Sequence, residues 1–95
     1  MKTIYMEHAN ITVNNLDESI RFFKTAFPHF EVRGSGTNNG RKWLHLGDQN
    51  TYIALNETES QVHVKKNYAN SGINHIGFVV DDVETIANRL LDAGF

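Results

Sequence analysis

Hydrophobic and polar residues alternate near the start of the chain and then change to a helical spacing. Residues 5–13 show the two-residue period of a strand with one buried face. Over residues 16–27 the apolar positions are spaced by four, three and four, so they form one stripe along a helix. Asn15 precedes this segment as an N-cap, and Pro28 ends it because proline cannot continue a helix.

Three further strands are predicted after this helix. Residues 30–33 form a short second strand, and residues 41–47 and 51–57 form the third and fourth. The segment 34–40 is expected to be a loop that closes with an Asn-Gly hairpin turn. The first part of the chain therefore has the predicted order β-α-β-β-β, and the polar residues 58–72 that follow are interpreted as a linker.

A second strand and helix are predicted after the linker. Residues 73–80 form an apolar strand, and residues 83–93 form a helix that Asp81 or Asp82 caps and Gly94 ends. The expected organisation is a first module, a linker and the start of a second module: residues 1–57, 58–72 and 73–95.

An offset of 67 residues aligns the two strand–helix pairs and places His8 on His75. The same offset pairs Val13 with Val80, Asn15 with Asp82, Leu16 with Val83 and Phe23 with Leu90. Matches that stay in register through strand, cap and helix indicate an internal repeat. A complete second repeat would continue over about residues 97–124, 67 residues after 30–57, and the sequence ends at Phe95.

The period of the strands separates their side chains into two faces of the predicted sheet. One face carries apolar residues that can pack on the helix stripe: Ala9, Ile11, Val13, Leu44, Leu46, Ile53 and Leu55. The opposite face collects polar and aromatic residues: His8, Asn10, Thr12, Trp43, His45, Tyr52, Asn56 and, by the repeat, His75. A surface of this composition is typical of a small-molecule pocket.

Two histidines at equivalent positions of two repeats point to a divalent metal. Neutral imidazole is a ligand for Fe, Mn, Zn and Ni, and a third ligand, usually a carboxylate, completes a site with open positions for substrate. The alternative is that His8 and His75 are strand-end histidines with local hydrogen bonds. Trp43 also has two interpretations, as a packing residue or as a platform for a ligand ring.

Composition and charge narrow the function classes. The net charge is -2 with both signs scattered, so nucleic acid is not an expected partner. The chain has no cysteine, which excludes disulfides, thiolate metal sites and thiol nucleophiles. No apolar run approaches the ~20 residues of a membrane span. The N-terminus lacks the apolar core of a signal peptide. We therefore expect a cytoplasmic protein with no membrane partner.

Several segments together resemble the vicinal oxygen chelate superfamily, which includes the glyoxalases, the extradiol dioxygenases and the bleomycin-resistance proteins. They are residues 8–23 (HANITVNNLDESIRFF), 43–48 (WLHLGD), 51–56 (TYIALN) and 72–82 (GINHIGFVVDD). Their order and spacing match jointly over nearly the whole chain. The resemblance implies an α+β fold, in which a glyoxalase-like βαβββ module precedes an incomplete second βα unit, and paired modules surround a metal.

The resemblance also implies ligand positions. His8 and His75 match the first-strand ligands of the two modules, whereas the fourth-strand position of the first module falls on Ala54, which cannot bind a metal. The loss of this carboxylate argues against a lactoylglutathione lyase. It leaves a pattern similar to extradiol dioxygenases and fosfomycin-modifying thiol transferases. Glu57 has the opposite strand parity and is not expected to replace the missing ligand.

The implied function is that of a divalent-metal-dependent enzyme of the lyase, dioxygenase or transferase type, acting on a small oxygenated substrate. His8 and His75 would hold the metal, one of Fe, Mn, Zn and Ni. The substrate pocket would be lined by Asn10, Trp43, His45, Tyr52 and Asn56. The alternatives are a metal-free binding protein of the bleomycin-resistance type and a non-catalytic fragment. Because the incomplete second unit leaves apolar surface to cover, a homodimer is expected.

Overall fold

A mixed four-stranded sheet and two helices make up the computed structural model over the residues it describes, 3–64 and 67–95. The elements are β1 (His8–Val13), α1 (Leu16–Ala26), β2 (Glu31–Asn38), β3 (Arg41–Gly47), β4 (Tyr52–Glu57) and α2 (Val83–Asp92). The strand order is β1-β4-β3-β2, with β1 parallel to β4 and the other pairs antiparallel. This confirms the predicted α+β class and the βαβββ order. Among these residues no helix combines the length and apolar character that a bilayer span requires.

The core lies between α1 and the sheet face that the alternation assigned to it. Its buried members are Leu16, Phe30, Leu46, Ile53 and Leu55, with Ile11, Val13, Ile20, Phe23, Phe27 and Leu44 packed against them. Leu46 and Leu55 are fully buried, and each such side chain contributes roughly 1.5–3 kcal/mol to stability. The predicted packing of the strand alternation on the helix stripe is therefore confirmed.

The N-terminus of α1 is fixed by two side chains. The Asn15 side chain accepts a hydrogen bond from the backbone N–H of Glu18 at 3.0 Å. From the end of β4, Glu57 accepts a hydrogen bond from the backbone N–H of Leu16 at 2.9 Å. Both groups satisfy amides that a helix leaves unpaired, and a carboxylate is favourable beside the positive end of the helix dipole. The Glu57 carboxylate therefore lies on the helix side of the sheet, where it caps α1.

The second strand is longer than the sequence indicated. β2 continues over residues 34–38, which were expected to form a loop, and pairs with β3 down to the turn at Asn39 and Gly40. The φ angles of these two residues are 54° and 77°, the conformation that favours Asn-Gly in a hairpin turn. The loop prediction was wrong because it followed the glycines in this segment, whereas the ladder with β3 supplies the backbone partners.

The second unit forms its helix but not its strand. Asp82 accepts a hydrogen bond from the backbone N–H of Thr85 at 3.1 Å, which repeats the cap that Asn15 makes with Glu18. The prediction of a strand over residues 73–80 is wrong, because this segment makes no ladder with the described strands. An apolar pattern predicts burial on a sheet but does not supply the paired neighbour that a strand needs.

The two helices contact each other, and an arginine of each helix reaches the C-terminal end of the other. Arg89 donates to the carbonyls of Thr25 and Ala26 at 3.2 Å each. In return, Arg21 donates to the carbonyl of Ala93 at 2.9 Å. Basic side chains thus satisfy carbonyls that helix C-termini leave open. The second unit therefore docks on the helix layer of the first module.

Candidate functional site

The sheet face opposite α1 carries the polar and aromatic residues that the alternation grouped together. The strand register brings them into pairs: His8 with Tyr52, Asn10 with Ala54, Thr12 with Asn56, His45 with Ala54 and Trp43 with Asn56. Residues that are directly opposite across a ladder share one face of the sheet. The structure therefore places these residues side by side on β1, β4 and β3. We call this surface the open face.

Rings form a continuous stack along the open face. His8 and Tyr52 are nearly parallel, with centroids 4.6 Å apart and an interplanar angle of 10°. His45 stacks on Tyr52 at 4.8 Å, and Trp43 lies 5.0 Å from His45. The guanidinium of Arg33 lies 4.4 Å from the Tyr52 ring centroid as a cation–π contact. Arg33 was missed by the sequence analysis because it occupies the bulge of β2, where the register shifts.

Trp43 packs on β2 at two positions that lack side chains. A Cβ at Gly36 would lie 3.0 Å from both Cζ2 and Nε1 of the indole, and a Cβ at Gly34 would lie 3.7 Å from Cζ3. The ring therefore occupies space that any residue larger than glycine would take at position 36. Trp43 is also half-buried and lines a cleft. The packing interpretation of this residue is therefore confirmed, and its role as a platform for a ligand ring stays a prediction.

Amide groups join β1 to β4 on the same face. Nδ2 of Asn56 donates to Oδ1 of Asn10 at 2.6 Å and to the backbone carbonyl of Ile11 at 3.4 Å. The hydroxyl of Thr12 donates to Oδ1 of Asn56 at 3.2 Å. Because a backbone carbonyl can only accept, it fixes which end of the Asn56 amide is the nitrogen.

A cleft of about 410 Å³ opens over the end of the face that carries Trp43. Its lining residues are Asn10, Asn38, Asn39, Arg41, Trp43, His45, Ala54, Leu55 and Asn56. Asn38 and Asn39 were missed because they were expected to lie in a loop. The alternation of β3 could have indicated Arg41, since it has the same parity as Trp43. Tyr52 and His8 instead line a smaller hollow of about 180 Å³ that Ile76 and Gly77 also line.

His8 and His75, which the 67-residue offset pairs, make the same local hydrogen bond. Nδ1 of His8 lies 3.0 Å from Oε1 of Glu7, and Nδ1 of His75 lies 2.8 Å from Oδ1 of Asn74. In each case the oxygen belongs to the side chain of the preceding residue, so the two histidines have hydrogen-bond partners at equivalent positions. In the neutral imidazole, an oxygen acceptor at Nδ1 places the hydrogen there and leaves Nε2 with its lone pair. Histidines that bind metals are held in the same way.

The two imidazoles lie in different hollows. His75 lines a larger, mostly apolar cavity of about 620 Å³ beside β1, whereas His8 lines the small hollow with Tyr52. Within residues 3–64 and 67–95, no three residues of the His, Cys, Asp or Glu types come together as a metal site. The fourth-strand position is Ala54, which is 3% exposed, and Glu57 caps α1. His8 is therefore the imidazole on the open face, whereas His75 lines the cavity beside β1 that residues of α1 and α2 also line.

The tight turn between β3 and β4 holds the register of the open face. Asp48 accepts hydrogen bonds from the backbone N–H groups of Asn50 and Thr51 at 2.9 and 3.0 Å. These bonds, with weaker attraction from His29, hold the pKa of the Asp48 carboxyl below its ordinary value. At Gly47 a Cβ would lie 2.1 Å from the carbonyl oxygen of Thr51, so this close approach of backbone requires glycine.

The comparisons with known proteins agree with this architecture. A family model described as Glyoxalase/Bleomycin resistance protein/Dioxygenase superfamily matches residues 7–95. A search of individual curated proteins gives no match. The matched region includes the βαβββ sheet, the ring-lined open face, both repeated histidines and α2. Since the match spans almost all of the chain and follows its observed order of elements, the chain belongs to the glyoxalase/bleomycin resistance protein/dioxygenase superfamily.

Proposed function

We propose that the open face binds a small oxygenated substrate and acts on it with a divalent metal held by His8 and His75, as an enzyme of the lyase, dioxygenase or transferase type. The observation that carries this proposal is the repeated pair of histidines, each with Nδ1 bonded to the residue before it and Nε2 left as a donor to a metal. The superfamily membership supports the same class of function.

The surroundings of His8 suit a metal ligand. Glu7 accepts from Nδ1, and a carboxylate in this position orients the imidazole. The parallel ring of Tyr52 further restrains the plane of His8. Imidazole nitrogen suits Fe, Mn, Zn and Ni. A bound metal of this kind supplies a Lewis acid that polarises an oxygen of the substrate.

The remaining residues of the open face bind and orient the substrate. Trp43 and His45 offer ring surfaces beside the cleft, and Asn10 and Asn56 offer amides that the β1–β4 network holds in place. Ring surfaces beside fixed polar groups give a small molecule one preferred orientation.

A second candidate is a metal-free binding protein of the bleomycin-resistance type. Ala54 favours it, because an alanine replaces the carboxylate at the fourth-strand position, where it is buried between Asn10 and His45. The ring stack and the cleft can hold an aromatic compound without a metal. The two candidates therefore share one binding face and differ in whether a metal takes part.

Metal binding by the histidines separates the two candidates. Calorimetric titration with Zn²⁺ and Ni²⁺ should show binding to the chain that weakens about tenfold or more in His8→Ala and in His75→Ala. The matched control is His63→Ala, which removes an exposed histidine outside the strands and helices. Unchanged binding in His75→Ala overturns the metal proposal, and loss of binding in all three variants shows nonspecific association.

A carboxylate at the fourth-strand position should strengthen the site. Ala54→Glu places an oxygen donor on the open face, two pairs along the β1–β4 ladder from His8 and Tyr52. We expect the affinity for Zn²⁺ to rise about tenfold, since a third ligand completes a site of the facial type. Ala54→Gln has nearly the same size without the charge and should show little gain. Equal effects of the two substitutions contradict a site beside His8.

A further inference from the structure

The cleft over Trp43 contains hydrogen-bond donors and no acidic side chain. Its ionisable lining residues, among those that the structure describes, are Arg41 and His45. The other polar residues of the lining are the asparagines: Asn10, Asn38, Asn39 and Asn56. A formal positive charge without a matching carboxylate attracts anions and repels cations. The positive charge of the cleft therefore favours an anionic ligand over a cationic one.

The amide network leaves one further hydrogen-bond donor in the lining of the cleft. The carbonyl of Ile11 fixes Nδ2 of Asn56, and this nitrogen in turn requires the oxygen of Asn10 as its acceptor. The nitrogen of the Asn10 amide is thereby left over. It donates to no atom of residues 3–64 and 67–95, although Asn10 lines the cleft. A ligand oxygen is the acceptor that would satisfy it.

The shape of the cleft suits a planar ligand. Trp43 is held against β2 at Gly36, and Ala54 on the open face adds a small apolar side chain to the lining. A volume of about 410 Å³ accommodates a compound with a single ring. Arg41 lies two residues before Trp43 on the same face of β3, so its guanidinium can meet a substituent of a ring that stacks on the indole.

We propose that the cleft recognises a planar aromatic ligand that carries a carboxylate, with the ring on Trp43 and the anionic oxygens facing Arg41 and the amide nitrogen of Asn10. The guanidinium fork matches a carboxylate in charge and geometry, and the asparagine adds a second donor. This inference rests on the proposed small-molecule site and names its ligand class.

The only tryptophan of the chain is Trp43, so its fluorescence reports on the cleft directly. The purified chain is titrated, with a chelator present, with benzoate, benzamide and benzamidine, which share a ring and a planar substituent and are anionic, neutral and cationic. Benzoate is expected to quench Trp43 and to bind about threefold or more tightly than benzamide, and benzamidine is expected to bind most weakly.

Two substitutions test the named donors. Arg41→Gln should weaken benzoate about threefold to fivefold and leave benzamide unchanged, because an exposed ion pair contributes modestly. Its control is Lys42→Gln, which removes the same charge from the next residue of β3, on the opposite face. Asn10→Asp keeps an acceptor for Asn56 but replaces the free donor by a carboxylate, so it should weaken benzoate and strengthen benzamidine.

Each outcome decides a separate claim. Binding of benzamide or benzamidine as tight as that of benzoate overturns the anionic ligand class, and so does an equal loss in Arg41→Gln and Lys42→Gln. The open face then remains a small-molecule site of another preference. Absence of any Trp43 response to the three compounds overturns the cleft itself, together with this inference. The metal titrations of the His8 and His75 variants test the proposed function independently of either result.

Discussion

Replacement of Gly36 by alanine should disturb Trp43, whereas the same replacement at Gly34 should not. Both glycines lie in β2, and neither has a positive φ, so alanine is compatible with the backbone at either position. The Cβ at position 36 would approach the indole to 3.0 Å, and the Cβ at position 34 would approach it to 3.7 Å. The optimal distance between carbon atoms is about 3.5–4.0 Å, so only the first contact is too close.

The expected magnitudes follow from these distances. Gly34→Ala should raise the free energy of unfolding by about 0.4–1 kcal/mol, because alanine restricts the unfolded chain. Gly36→Ala has the same gain but must displace the indole by a few tenths of an ångström, which costs about 1–3 kcal/mol. Trp43 is only half-buried and can yield, so the lower value applies. Gly36→Ala should therefore unfold roughly 4–8 °C below Gly34→Ala.

Thermal unfolding followed by circular dichroism measures this difference, and the spectrum of Trp43 reports its cause. Gly36→Ala should shift the fluorescence emission and change the near-ultraviolet dichroism, while Gly34→Ala leaves both unchanged. Equal melting temperatures with identical spectra would refute the packing of the indole on β2 at position 36. The claim that an indole fixed on β2 forms one wall of the cleft would then be wrong.

Three further predictions concern the core, the pH dependence and the assembly. Leu46→Ala removes a side chain that is 0% exposed and should lower the free energy of unfolding in urea by about 2–5 kcal/mol, whereas Leu91→Ala, at a position 67% exposed, should change it by about 0.5 kcal/mol or less. Because the folded pKa of Asp48 is depressed, its stabilisation is present above the ordinary value of 3.8 and is lost as pH falls through the lower folded value. Urea unfolding between pH 5 and pH 2 should therefore show a flatter acid loss in Asp48→Asn, and parallel curves would contradict this. We expect a homodimer in light scattering, since apolar side chains of 73–80 such as Ile73 and Val79 are exposed, and the mass of one chain at all micromolar concentrations would contradict it.

The alternation of β1, β3 and β4 was sufficient to predict the two faces of the sheet. A strand with one buried face imposes a period of two, so His8, His45 and Asn56 could be placed on one side before the structure was known. β2 could not be predicted in the same way. Gly34 and Gly36 carry no side-chain signal, and the bulge at Arg33 changes the register in a manner that only the pairing with β3 reveals.

The second unit shows the same division between local and non-local information. The cap of α2 at Asp82 was predicted because capping depends on a side chain and amides within one turn. The strand over 73–80 was not formed, because a strand depends on a partner that its own sequence does not contain. The predicted set of pocket residues was incomplete for a related reason. Asn38 and Arg41 line the cleft only because the β2–β3 hairpin extends to the turn that follows Asn38.

Paramagnetic broadening by Mn²⁺ tests the central claim most directly, because it locates a bound metal on the chain even when binding is weak. In the amide spectrum of the isotopically labelled chain, substoichiometric Mn²⁺ should broaden the signals of His8, Asn10 and Tyr52 on the open face and that of His75. Signals from the exposed side of α1, such as Glu18, should stay sharp. Broadening centred instead on the acidic N-terminus of α2, around Asp82, with His8 and His75 unaffected, would contradict a metal on the open face.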